Sequence, residues 1–258
     1  MTPADFLAQL TEPGRIIQIL VAAAVAALAA YALTPYARAM VAHGSKPVVP
    51  AGPGGERDQM AELFSAMLTP TGNPDPAESK WLARWVPPMI AGVLGAYLAA
   101  ITSAWAVALV LVAFVIGSSL LVATDQAAQR LPDKIVWPTT GAVAMLLVLA
   151  AIVTGAWGSL LTAGLGGLIL GIAFFALAWF RPNDLGLGDV KLSVVIGLVL
   201  GWYGWIPLAV GAVSGFFLFA ILGITLMVGR LTYSASQLAF GPWMILGAIV
   251  GITYGTFA

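Results

Sequence analysis

The sequence predicts an all-α fold, a polytopic membrane bundle of about eight transmembrane helices with both termini on the outer side. Three observations carry this. The 258 residues are 60% hydrophobic and only 9% charged, with a mean hydropathy of +0.98, far from the composition of soluble domains. Eight apolar runs approach the roughly 20 residues a helix needs to cross about 30 Å of hydrocarbon. The basic residues, finally, fall almost entirely into alternate connections between those runs, as cytoplasmic loops require.

Taken in order, the runs cover about residues 16–37, 86–103, 105–124, 135–157, 158–180, 188–202, 205–229 and 238–257. The first has a rival reading as a cleavable signal peptide, because Ala30-Tyr-Ala and Ala37-Arg-Ala are small-x-small patterns. Its flanks oppose that: Asp5 and Glu12 outweigh Arg15 before the run, and the basic residues follow it. Residues 38–85 form the one long polar stretch. Within it, 47–55 (PVVPAGPGG) cannot hold a helix and reads as a flexible linker. Met60, Leu63, Phe64, Met67 and Leu68 then recur at helical spacing, giving one apolar face to a short helix suited to lying on a surface. The sixth run is short unless the Gly-rich segment before it contributes. Gly167/Gly171, Gly197/Gly201, Gly211/Gly215 and Gly247/Gly251 are four GxxxG pairs that let helices approach closely in lipid. The chain divides into an N-terminal segment with the first helix (1–37), a cytoplasmic loop (38–85) and a membrane domain (86–258).

Charge sets the orientation. Arg38, Lys46, Arg57, Lys80 and Arg84 lie between runs 1 and 2; Arg130 and Lys134 follow run 3; Arg181 follows run 5; Arg230 follows run 7. Lys191 opens run 6 and only Arg15 lies opposite, so the odd-to-even loops are expected to face the cytoplasm from the inner (plasma) membrane. Most of the nine Trp sit near run ends, where an aromatic belt would place them. The absence of Cys excludes a disulfide framework and a thiolate zinc site. A net charge of zero gives no electrostatic case for nucleic acid, and His43 has no neighbour spaced with it as a metal ligand.

Against this charge-poor background, acids at the ends of apolar runs stand out as functional candidates. Asp125 ends run 3, at the negative end of the helix dipole, where a structural role would favour Lys or Arg; a solvated Asp at a frayed helix end is the plain alternative. Asp189 follows Gly186-Leu-Gly188 and opens run 6, where an acid also suits the helix N-terminus. Runs 3 and 6 have opposite directions, so the two carboxylates share one membrane face and can meet. A close carboxylate pair sharing one proton can activate water with one member and polarise a peptide carbonyl with the other. Glycines at 186 and 188 would leave room for an extended substrate backbone.

These segments resemble the type IV prepilin peptidase family, membrane aspartic proteases of the GxGD group. The family pattern of an Asp followed eight residues later by the Asp of a Leu-Pro-Asp is met by Asp125, Leu131, Pro132 and Asp133. The GxGDxKL signature is met by Gly186, Gly188, Asp189, Lys191 and Leu192, followed by Gly197, Leu200 and Gly201. A third family-like stretch, Phe240-Gly241-Pro242 leading to Leu246-Gly247-Ala248, opens run 8. The resemblance covers about residues 86–257. It implies that Asp125 and Asp189 are the catalytic dyad, needing no cofactor and no metal, and that the partners are the lipid bilayer and a prepilin or pseudopilin substrate cut at the cytoplasmic face. Asp133 is expected to cap run 4, Lys191 to pair with an acid or snorkel, and Asp184 to cap its loop. Gly241 and Pro242 join the supporting set.

Two features depart from the family. Bifunctional members that also methylate the new N-terminus carry an N-terminal Gly-Ser-Phe-Leu-Asn-like motif and often two CxxC zinc pairs, and neither is found here. Ala127 stands where many members have an acid. A presenilin-like or signal-peptide-peptidase-like protease shares GxGD but pairs it with Tyr-Asp and Pro-Ala-Leu motifs; here Thr124 precedes Asp125 and no Pro-Ala-Leu occurs. A proton-coupled transporter would hold its acids near the midplane on interrupted helices.

Overall fold

In hydrocarbon every backbone N–H and C=O must be paired within the chain, and for apolar runs of this length the helix is the solution. The computed structural model describes residues 11–44, 80–128, 131–180, 186–228 and 239–258. Its described residues form eight α-helices: α1 (Pro13–Gly44), α2 (Val86–Ile101), α3 (Trp105–Ala128), α4 (Asp133–Thr154), α5 (Trp157–Phe180), α6 (Leu187–Tyr203), α7 (Trp205–Val228) and α8 (Gly241–Phe257). A single 3-10 turn, Lys80–Leu82, precedes α2. The chain is a polytopic helical membrane bundle. By length and composition α1, α3, α4, α5 and α7 can each cross a bilayer, while α2 and α8 are apolar but shorter. Each expected run corresponds to one helix. The first extends further than hydropathy suggests, because α1 continues past Arg38 to Gly44 and takes in His43, which the sequence placed in a loop. The expected linker (47–55) and amphipathic helix (60–68) lie outside the described residues.

Local sequence fixes the turns. Gly155 ends α4 in the left-handed region at φ 70°, and Gly204 separates α6 from α7 at φ 113°; a side chain is strained at both angles. Pro132 is the N-cap of α4, and Pro87 and Pro242 sit in the first turns of α2 and α8, where a missing N–H costs nothing. Trp85, Trp105, Trp157 and Trp205 lie at helix starts with exposed side chains, matching the aromatic distribution expected from the sequence.

The core is built around α3 and α6. Helix α3 packs against α1, α2, α4, α6 and α8, and α6 against α5, α7, α8, α4 and α3. Helix α1 joins the same core through Ala22, Ala26, Ala30 and Ala37, small side chains that admit α2 and α3. All four GxxxG pairs fall in two interfaces. A Cβ on Gly197 would lie 2.5 Å from the Gly166 carbonyl oxygen, and one on Gly201 2.5 Å from that of Thr162, so α5 and α6 touch backbone to backbone. Gly247 and Gly251 bring α8 equally close to Gly211 and Gly215 of α7. Far from Asp125, Arg15 donates to the carbonyls of Ala100 and Thr102, filling acceptors that the C-terminus of α2 leaves open. Among the described residues, the basic side chain at that end of the bundle therefore has a structural occupation.

Candidate active site

Asp125 sits in the last turn of α3 and is 6% exposed. An acid at this position faces the negative end of its own helix dipole, so something else must compensate. That something is the N-terminus of α8: the backbone N–H of Gly241, its first residue, donates to Asp125 Oδ2 at 3.0 Å. Free N–H groups at a helix start make a ready anion site. Gly241 also leaves room for the carboxylate, since a Cβ there would lie 2.6 Å from Asp125 Oδ2 and push it aside. Phe240, the N-cap of α8, is wedged among Phe174, Phe216 and Phe219, with ring centroids 6.3, 5.2 and 5.0 Å away. Apolar packing thus fixes where the polar N–H points.

Asp189 is the third residue of α6, with Gly186 as N-cap. Its backbone N–H donates to the Gly186 carbonyl at 3.0 Å, and its carboxylate turns back towards Gly186, with Oδ2 3.7 Å from where a Cβ there would sit. The latter resembles the half of a capping box in which a third-position acid reaches back to the N-cap. Asp189 is half-buried, and Gly241, whose N–H holds Asp125, also lies against Leu192, one turn further along α6. The two acids are therefore brought together at one end of the bundle, on the ends of its two central helices.

The connection that follows Asp125 is pinned to the helix that carries Asp189. A Cβ on Gly188 would lie 2.8 Å from Leu131 Cβ, so only glycine lets Leu131 pack there. Beside it, Lys191 Nζ donates to Asp133 Oδ1 in a partly exposed ion pair. This corrects the expected cap: Asp133 is the first residue of α4, Pro132 occupies the N-cap, and no side-chain cap bond forms. An acid in a first turn still suits the dipole, and its oxygen is free to reach across to Lys191. Asp184 lies outside the described residues. Pro242 occupies the second position of α8 and touches the site through the helix start it helps set. Phe174, Phe216 and Phe219 were not signalled by the sequence, because apolar residues in apolar helices carry no mark of which neighbour they meet.

An exposed ion pair contributes at most about 1 kcal/mol to stability, so any effect of Lys191 and Asp133 on the site is expected through position. Reversing one charge, as Lys191→Asp or Asp133→Lys, is expected to lower the site's activity about 10-fold. The reversed double variant is expected to recover most of it, measured as turnover at equal membrane abundance. Equal turnover in wild type and both single variants would show that the pair positions nothing.

The bundle and its end-on carboxylates define a helical membrane protein with a paired-acid site. Three curated relatives, each named prepilin leader peptidase/N-methyltransferase, are similar to part of the chain. The protein of Pseudomonas putida is 26% identical over 136 residues, 51% of this chain and 44% of its own length. That of Pectobacterium carotovorum subsp. carotovorum is 34% identical over 96 residues, 36% of this chain and 32% of its own. That of Stutzerimonas stutzeri is 27% identical over 134 residues, 49% and 43% respectively. The chain spans less than half the length of these relatives. No family model matches the chain, and no solved structure does. The three relatives support placing this chain in the type IV prepilin peptidase family.

Proposed function

We propose that this protein is a membrane aspartic endopeptidase that removes the leader peptide of type IV prepilins or pseudopilins at the cytoplasmic face of the inner membrane. The observation that carries this reading is the placement of Asp125 and Asp189 at the same end of the bundle, one closing α3 and the other opening α6. One carboxylate accepts a proton from water as its oxygen attacks the scissile carbonyl carbon. The other, protonated, donates to the carbonyl oxygen. Collapse of the tetrahedral intermediate breaks the C–N bond; the leaving amine takes up the proton held by the first acid, and the second acid recovers its proton from a hydroxyl of the intermediate. Carboxylates at helix ends suit a bond lying at the membrane boundary, and the distribution of Lys and Arg supports reading that boundary as the cytoplasmic one.

Proteolysis is proposed without methyl transfer, because the motif and CxxC pairs that the family resemblance associates with that second activity do not occur in these 258 residues. Incubating the membrane-embedded protein with a panel of prepilins and S-adenosylmethionine is expected to yield leader-free product with an unmodified N-terminus. Mass spectrometry reads both points. A product carrying an added methyl group would overturn the second, and intact substrate across the panel the first.

A further inference from the structure

A cavity of about 350 Å³ opens between α1, α3 and α4, lined by Tyr36, Ile116, Leu120, Lys134, Pro138 and Ala142 among others. We propose that it binds an anionic phospholipid, with the headgroup phosphate at Lys134 and an acyl chain along α3. The argument begins with charge. Lys134 is exposed at the mouth, and among the described residues no carboxylate pairs with it, since the adjacent Asp133 is committed to Lys191. Pro138 has no N–H, so the Lys134 carbonyl lacks the donor that a continuous helix would supply. Tyr36 adds a phenol to the lining. Cation, phenol and open carbonyl match a phosphate carrying a hydroxylated headgroup, and basic pockets between transmembrane helices bind such lipids.

The shape suits a single acyl chain. From Ala113 to Leu120 the α3 wall runs about 10 Å at the helical rise, the reach of the upper part of one acyl chain. A second groove of about 370 Å³ along α5 and α6 is lined by glycines and apolar side chains alone, and so offers nothing for a headgroup. The lipid site stands independently of the proposed protease function.

The test uses the full chain in detergent micelles holding equal amounts of phosphatidylglycerol and phosphatidylcholine with identical acyl chains. Bound lipid is quantified by mass spectrometry after the micelles are exchanged. Phosphatidylglycerol is expected to be enriched about fivefold, the preference one interfacial lysine confers. Lys134→Arg should keep that enrichment and Lys134→Gln should bring it to parity. Equal retention of the two lipids by wild type, or undiminished enrichment in Lys134→Gln, would overturn the proposal. So would a photoreactive side chain at Ile116 that captures an added transmembrane peptide in place of lipid.

Discussion

Asp125→Asn and Asp189→Asn are each expected to abolish leader removal, by roughly 10²–10⁴-fold or more, while the protein accumulates normally in the membrane. Asn has the shape of Asp, and its side-chain oxygen can still accept from the Gly241 N–H that now meets Asp125 Oδ2 at 3.0 Å. At position 189 the amide can keep the turn back towards Gly186. What each substitution removes is the ability to take up and release a proton, and neither remaining carboxylate can perform both transfers alone. Because the pair acts as a unit, the double variant should be no worse than either single one. Leader cleavage followed by gel shift, with membrane abundance by immunoblot, checks this. Normal processing by either variant would remove that residue from the dyad.

Hydropathy made the number and order of the helices legible, because the cost of an unpaired backbone in lipid leaves little choice of structure. It did not separate inside from outside. Helices α3 and α7 are both strongly apolar, yet α3 is the most enclosed of the long helices and α7 faces outward along much of its length. Lipid and protein core are both apolar, so no polar stripe marks the difference. The GxxxG pairs were visible as pairs, but which helix each meets emerges only from packing. The acids were legible for the opposite reason, as rare charges in a charge-poor chain. Their neighbours were less so. Asp133 read as a cap because it follows a proline, whereas its oxygen is drawn across the connection to Lys191, 58 residues away in sequence. Gly241 and Pro242 belonged to a family-like stretch without a role until α8 placed the Gly241 N–H on Asp125.

That role makes Gly241→Ala the single-methyl change expected to act most directly on Asp125. The new Cβ would lie 2.6 Å from Asp125 Oδ2 and 3.4 Å from Cγ. Relief by moving the helix is blocked, since Phe240 is held among three aromatic rings and α8 is locked to α7 through glycine contacts. The carboxylate must therefore swing away, losing the N–H that holds it and its alignment with Asp189. A displacement near 1 Å at a reacting group can cost about 10²-fold, and turnover is expected to fall by about that factor. Alanine is favourable within a helix, so the bundle should still form. The expected signature is a lowered kcat with little change in KM and a melting temperature in detergent close to wild type. Turnover within twofold of wild type would show that the start of α8 does not position Asp125.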